Sequence, residues 1–222
     1  MKHRSNFCRT ALLIIVSSLL VYPTKAQEAY VVDGDTIKIG DTTHRLHGID
    51  APEHGQRCNA PDGSTWDCGQ AATNEMRRLL QLGEINCTSD GEDSYERKLS
   101  VCMVNRVNIN EHMVQNGYAW AFRRYSNNYI AFEDVARIAK IGIWQTPTQT
   151  AWDFRSQKWT GAEQEAPNGC PIKGNISKNG HIYHTPWSPW YDRTRINEKK
   201  GERWFCDEAE ALAAGWRAAI WN

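Results

Sequence analysis

The sequence predicts a mainly β protein with α-helices: a small five-stranded Greek-key barrel with three helices, followed by a small disulfide-linked module. Short segments with strand-like alternation dominate residues 29–104, two stretches with helical spacing follow them, and six cysteines are spread from residue 58 to residue 206. Five short strands, with one helix between the third and the fourth and two helices afterwards, match a barrel of the OB-fold type. Such a closed barrel is rigid enough to hold charged side chains in place.

The N-terminus is expected to be an export signal. Residues 1–26 begin with basic residues, continue through an apolar run at 11–21 and end in the small-x-small pattern Thr24-Lys25-Ala26. The run contains two serines and is shorter than the roughly 20 residues that span a bilayer, so a cleaved signal peptide is predicted and no stable membrane anchor. Cleavage leaves 22 basic and 26 acidic residues, a formal charge of −4. This balance argues against a protein that coats nucleic acid, and any polyanion must bind at a local basic patch or a bound cation.

The cysteines are expected to be paired. An even number of cysteines in an exported chain indicates three disulfides, and six cysteines allow fifteen pairings. Metal binding is the weaker alternative, because no C-x-x-C pair occurs. Local order favours the pairs Cys58 with Cys68, Cys87 with Cys102, and Cys170 with Cys206.

The strands are recognised by their alternation and by the turns between them. Apolar residues around Val31 and Ile37 flank Asp33-Gly34-Asp35, where the glycine suits a bulge or bend, and a third strand is expected at 44–49. Residues 54–66 look like a loop. After a helix, two more strands are expected at 84–88 and 98–104.

The helices are recognised by apolar spacing and by their ends. The first carries Ala72 and Met76 at helical spacing and stops near Gly83. Asn108 followed by Glu111 predicts the start of the second. The third is expected to place Ala131, Val135, Ile138 and Ala139 on one face.

The chain is expected to divide into four parts. These are a signal peptide at 1–26, a barrel domain at 27–144, a linker at 145–168 with one possible short helix at 152–159, and a Trp-rich C-terminal module at 169–222. Eight of the ten tryptophans lie at residue 144 or later, so the tail either binds bases or sugars or uses tryptophan to build a small core.

Opposite charges on three short segments are the main functional signal. Acidic side chains can hold a hard divalent cation or activate water, and two guanidinium groups can bind the charge that builds on phosphate oxygens. Asp-Gly-Asp-Thr alone is more often a turn than a metal site, and the interpretation depends on the whole set. Its members are Asp33, Asp35, Arg45, Asp50, Glu53 and Arg97.

These motifs resemble those of the staphylococcal (thermonuclease) nuclease family. The resemblance covers roughly residues 29–144 and rests on the order and spacing of Asp33-Gly34-Asp35-Thr36, Arg45-Leu46, Asp50-Ala51-Pro52-Glu53 and Tyr95-Glu96-Arg97. It implies an exported Ca²⁺-dependent endonuclease that hydrolyses phosphodiester bonds of DNA or RNA, single-stranded or frayed, to 3′-phosphorylated products. The protein is expected to be a monomer in the periplasm or the medium.

The resemblance also implies roles for individual residues. Asp35, Asp50 and the backbone carbonyl of Ala51 would hold calcium, and Glu53 would act as general base or orient the water. Arg45 and Arg97 would bind the scissile phosphate. The expected substrate-binding residues are Tyr95, Arg123 and Tyr125, although Ser94 and Arg123 replace a lysine and a tyrosine of the family.

Two alternatives stay open. Arg123 and Arg124, which lie among aromatic residues, either pair and stack with a single strand or form a solvated face. The protein is either the enzyme described above or an exported accessory protein, for example in exopolysaccharide (succinoglycan) production.

The tail resembles a short module similar to the metal-binding region of the Ada repair protein, but a Cys170–Cys206 bond is favoured there over zinc.

Overall fold

A computed structural model describes residues 28–219 of the chain. The expected signal peptide at 1–26 lies outside the described residues. Within the described range, every helix is too short or too polar to cross a membrane.

The first part of the chain forms a strongly bent mixed sheet with helices packed against it. Its strands are β1 (Ala29–Val31), β2 (Thr36–Ile39), β3 (Thr42–Leu46), β4 (Ile49–Asp50), β5 (Arg57–Asn59), β6 (Thr65–Asp67), β7 (Ile85–Glu92), β8 (Lys98–Val104), β9 (Val107–Asn108) and β10 (Trp120–Ala121). Its helices are α1 (Cys68–Leu80), α2 (Ile109–Gln115) and α3 (Ile130–Ala139).

The main sheet has the order β1-β2-β3-β8-β7, and β9 pairs with β8. All neighbours are antiparallel except β3 and β8, which are parallel, with Arg45 opposite Leu99. A continuous core that includes Ile37, Leu46 and Met76 fills the space between this sheet and the helices. The predicted OB-like β fold with α-helices is confirmed.

The third strand is shorter than expected, and this matters for the site. β3 ends at Leu46, Gly48 turns the chain with a φ of 78°, and β4 then pairs with β10 instead of extending β3. A side chain at position 48 would be strained at this φ and would meet the Ser126 Cβ at 2.7 Å. The turn removes the strict alternation that would have put Arg45 and Asp50 on opposite faces.

The segment expected to be a loop at 54–66 contains a hairpin. β5 and β6 pair antiparallel, with Cys58 opposite Trp66. Cys58 is bonded to Cys68 at the start of α1, which ties the hairpin to the helix. The other two expected disulfides, Cys87–Cys102 and Cys170–Cys206, are also present, so the predicted pairing is confirmed.

The apolar face predicted for α3 is not its buried face. Val135 and Ile138 are exposed, the latter to 83%, whereas Glu133 and Ala136 are buried. Glu133 accepts hydrogen bonds from the Ala121 N–H at 2.8 Å and from two arginines, so its charge is compensated inside the fold.

The rest of the described chain forms a second sheet with its own core. The sheet has the strand order β13-β11-β12-β14, and its strands are β11 (Ile172–Ser177), β12 (Gly180–His184), β13 (Arg203–Phe205) and β14 (Arg217–Ala218). The helices of this part are α4 (Ala151–Glu165) and α5 (Glu208–Ala213). The core is built on Ile172, Phe205 and Trp216. Trp159 of α4 packs against this core, whereas Ala151 packs with Trp120 and Ile143. The segment expected to be a linker with a short helix therefore contains a 15-residue helix that packs against the core of the second sheet and against a separate small cluster around Trp120.

Acid should weaken the second sheet through His184. Burial lowers the pKa of this ring to about 4, Lys173 acts in the same direction, and the neutral ring is bonded by Asn175 Oδ1 at 3.0 Å and Ser188 Oγ at 3.2 Å. The unfolded chain takes up the proton near pH 6.5 and the folded chain near pH 4, so stability falls as the pH drops through this window. We expect the stability advantage of wild type over His184→Asn to shrink between pH 7.5 and about pH 5. Urea unfolding across this range measures the advantage, and a constant difference would contradict the prediction.

Candidate active site

Asp35 and Asp50 come together because the chain bends sharply before each of them. Both carboxylates are buried, and Asp35 Oδ2 accepts the Ala51 N–H at 2.8 Å. A Cβ on Gly34 would lie 2.7 Å from the Ala51 Cβ, so only glycine allows the two segments to approach this closely. Asp33 Oδ1 accepts the Asp35 N–H at 3.1 Å, which makes Asp33 a residue that shapes the bend.

Arg45 links the two aspartates. It lies near the end of β3, opposite Thr36, and donates to Asp35 Oδ1 and, at 2.7 Å, to Asp50 Oδ1. Burial opposes the charged form of Arg45, but Asp35 and Asp50 outweigh this effect and raise its pKa. The guanidinium therefore stays charged between two carboxylates.

A second guanidinium, which sequence reasoning missed, reaches the same cluster from α4. Arg155 donates to Asp50 Oδ2 at 2.8 Å and Oδ1 at 3.1 Å, and to Glu53 Oε1 at 2.5 Å. The T-x-x-D sequence at Thr150 marks the start of its helix, and the Thr150 side chain accepts the Asp153 N–H at 3.3 Å. That signal could have located the helix, but nothing in the sequence indicated its contact with Asp50.

Burial has the largest effect on the pKa values of two carboxyl groups in the cluster. It raises the pKa of Asp35 to about 6 and the pKa of Glu53 to about 7. Arg45 opposes the shift at Asp35, and Arg155 opposes it at Glu53. Glu53 is thus a buried carboxyl group whose pKa lies close to neutrality, which suits a proton acceptor.

The acidic groups do not converge tightly on one point. Within residues 28–219, Asp35, Asp50 and Glu53 do not bring one oxygen each to within 4.8 Å of one another. Arg45 and Arg155 contact them instead, so two positive charges compensate two of the three carboxylates and one negative charge remains when all three are ionised. The atoms that these three side chains can offer to a metal ion are all oxygens, which are the ligands that calcium prefers.

Arg97 directly precedes β8, the strand that pairs with the Arg45 strand β3. Its guanidinium pairs with Asp93 at 2.7 Å and lies 5.1 Å from the centre of the Tyr95 ring. From the second sheet, Glu208 lies within electrostatic range of both Arg97 and Arg45. Asp93 Oδ1 also accepts the N–H groups of Tyr95 and Arg97, so this loop is held by one carboxylate.

The other two expected substrate-binding residues are not joined to the cluster. Arg123 donates to Glu133 Oε1 at 2.8 Å, and Tyr125 is 59% exposed with its ring edge against Phe122. In the part of the chain that the structure describes, no hydrogen bond or ion pair connects either residue with Asp35, Asp50 or Glu53.

Comparisons with known proteins identify the family of the chain. The family model described as staphylococcal nuclease homologue matches residues 43–146, and a second model, described as ArfC, matches residues 155–218. The chain is 31% identical over 176 residues to the micrococcal nuclease of Shigella flexneri, covering 71% of this chain and 92% of that protein. The chain belongs to the staphylococcal nuclease family. The match to the staphylococcal nuclease model ends before Arg155, so one cluster residue of this family member lies outside the matched range.

Two further relatives bear on function. This staphylococcal nuclease family member is 31% identical over 145 residues to an uncharacterized endonuclease of Haemophilus influenzae, covering 61% of this chain and 76% of that protein. It is 27% identical over 153 residues to the succinoglycan biosynthesis protein ExoI of Rhizobium meliloti, covering 64% of this chain and 79% of that protein.

Proposed function

We propose that the protein is an exported Ca²⁺-dependent endonuclease that cleaves DNA or RNA to 3′-phosphorylated products. The observation that carries the proposal is the buried cluster in which Arg45 contacts Asp35 and Asp50, and Arg155 contacts Asp50 and Glu53. The family match and the nucleases among the relatives support the reaction class.

The donor chemistry fits calcium. Asp35, Asp50 and the carbonyl of Ala51 would hold the ion, and the bound ion would neutralise the cluster and polarise the phosphate. Burial disfavours the ionised forms of Asp35 and Glu53, so these forms need compensating positive charge. The two guanidinium groups already supply part of it. Arg155 therefore occupies coordination sites on Asp50 that a cation would need.

The remaining residues are proposed to have separate roles in phosphodiester hydrolysis. Glu53 accepts a proton from the attacking water, since its pKa lies near 7 and its carboxylate borders the cluster. Arg45 and Arg97 donate to the phosphate oxygens, where negative charge grows in the five-coordinate transition state. Tyr95, whose ring lies beside Arg97, is proposed to contact substrate, and Arg123 and Tyr125 are proposed to contact more distant nucleotides.

The proposed setting is outside the cytoplasm. Three disulfides within residues 28–219 fit an oxidising compartment, in agreement with the expected signal peptide. We propose a monomer in the periplasm or the medium, with a barrel domain at 27–144 and a module at 169–222.

A direct test uses the purified mature protein and labelled single-stranded DNA and RNA. Cleavage is expected with calcium and is expected to stop with a calcium chelator, and phosphatase treatment should change the mobility of the fragments because they carry a terminal phosphate. Absence of cleavage under all metal conditions would favour the accessory role, which the similarity to the succinoglycan biosynthesis protein supports.

Removal of Arg155 should tighten calcium binding. Arg155→Met leaves Asp50 and Glu53 without the guanidinium that contacts both, so a calcium ion no longer has to displace it. We expect the calcium dissociation constant to fall on the order of tenfold, measured by calorimetry on metal-free protein. Lys158→Met, which removes an exposed charge from the same helix, should leave the constant nearly unchanged. An unchanged or weaker affinity in Arg155→Met would show that Arg155 does not compete with the ion.

A further inference from the structure

We propose that the groove between the first hairpin and the second sheet is an accessory binding site for the backbone of single-stranded nucleic acid. The groove has a volume of about 1020 Å³. One wall is formed by the β1–β2 hairpin with Tyr30 and Lys38. The other is formed by Arg217 of the second sheet and by Trp190 and Arg195 of the segment between β12 and β13. The proposal rests on the proposed nuclease function, because it assigns a second contact for the same substrate.

Two arginines of the groove are held in position by backbone carbonyls and keep their charge. Arg195 donates to the backbone carbonyls of Asp192 and Thr194, and Arg217 donates to the carbonyl of Asn179 at 2.8 Å. Among residues 28–219, none of the ion pairs involves Arg193, Arg195 or Arg217. A carbonyl fixes the direction of a guanidinium but does not cancel its charge, and a guanidinium has five N–H donors. Donors therefore remain for phosphate oxygens.

The groove is basic in a protein that is otherwise acidic. Lys38, Arg193, Arg195 and Arg217 line it together with two acids, Glu28 and Asp41. The buried ring of His184 adds no charge at neutral pH, because burial lowers its pKa. The chain after residue 26 carries a formal charge of −4, so this surface is a local exception that attracts a polyanion.

Aromatic side chains favour a single strand over a duplex. Tyr30 and Trp190 line the groove and are 43% and 37% exposed. Unpaired bases can stack on such rings, whereas the bases of a duplex are already stacked on one another. Positive charge interleaved with aromatic rings is the usual surface for binding a single strand with little sequence preference.

One strand connects the groove with the proposed catalytic cluster. β2 begins directly after Asp35, and Lys38 lines the groove three residues later. At about 3.3 Å per residue these two positions are about 10 Å apart along the strand. A bound oligonucleotide can therefore contact the groove while another of its phosphates lies at Arg45.

The test measures binding without cleavage. Mature protein carrying Glu53→Gln is titrated, in the presence of a calcium chelator, against fluorescent oligo-dT of about 20 nucleotides and against a duplex of the same length. The groove variant combines Arg193→Gln, Arg195→Gln and Arg217→Gln. The control combines Lys199→Gln, Lys200→Gln and Arg203→Gln, which removes the same charge from residues outside the groove. Circular dichroism of each variant verifies that it is folded.

The groove variant is expected to bind oligo-dT at least about tenfold more weakly, and its slope of log affinity against log salt should fall by about two. The control should bind like the parent. Equal losses in the two variants, no loss in the groove variant, or tighter binding of the duplex would overturn the proposal. With Glu53 restored, KM for the long oligonucleotide should rise in the groove variant while cleavage of a fragment of about four nucleotides stays unchanged. Groove-dependent binding by a wild-type protein that never cleaves would instead refute the proposed function and leave the groove assignment standing.

Discussion

Glu53→Gln is expected to lower kcat for cleavage of single-stranded DNA on the order of a thousandfold. The amide has the size of the carboxylate, and its oxygen can still accept the hydrogen bond from Arg155 Nη1. It cannot take a proton from water, so the loss falls on the chemical step. The raised pKa of Glu53, near 7, places this group where a general base works well in neutral solution.

The design of this experiment separates catalysis from metal binding. Glu53 is not one of the proposed calcium ligands, so the calcium affinity of Glu53→Gln should stay within a few-fold of wild type, measured by calorimetry. Glu163→Gln is the matched control, because Glu163 is exposed on α4. A variant that keeps more than about a tenth of the wild-type kcat would show that Glu53 is not the base.

The barrel could be predicted because its signals are local. Alternation marks β2 and β8, and Asn108 marks the start of α2, where its side chain accepts the Glu111 N–H at 3.2 Å. The disulfides followed from short separations of 10 and 15 residues and from the two cysteines left in the tail. Each of these features is decided by residues close together in the chain.

The contribution of Arg155 could not be predicted in this way. It contacts Asp50 across a separation of 105 residues, and it lies on a helix that packs with two separate apolar clusters and shows only a weak apolar pattern. The same limit applies to α3. Periodicity assigned Val135 and Ile138 to the core, but the helix instead buries Glu133, whose charge Arg123 and Arg137 compensate. A pattern of apolar residues does not show where a buried ion pair will outweigh it.

Arg155 and Glu208 change how the site is understood. The sequence divides it into acids that hold a cation and arginines that bind phosphate. The structure adds a positive side chain on the acidic side, at Asp50 and Glu53, and a negative one near the arginines, at Glu208. Both added charges come from residues after 150, so the C-terminal part of the chain contributes to the electrostatics of the proposed catalytic site, together with burial and Arg45.

Arg97→Ala is expected to lower kcat/KM on the order of a hundredfold or more, because a guanidinium that stabilises the transition state is lost. Substitution of Arg97 tests the phosphate contact more specifically than substitution of Arg45. Arg45 bridges Asp35 and Asp50, so its removal would disturb the metal ligands as well as the phosphate contact. Arg97 pairs only with Asp93 among the described carboxylates, and its removal leaves the acidic cluster intact.

Two further variants show whether charge or geometry matters at this position. Arg97→Lys keeps the positive charge but loses the planar fork, so it should recover only a small part of the lost rate. Asp93→Asn keeps an oxygen that can accept the N–H groups of Tyr95 and Arg97 but weakens the pairing with the guanidinium. Steady-state kinetics at saturating calcium, with thermal melts of each variant, measure these effects. Activity of Arg97→Ala within about threefold of wild type would contradict the assignment. A large loss in Asp93→Asn with Arg97 still present would show that the guanidinium acts only when Asp93 fixes its direction.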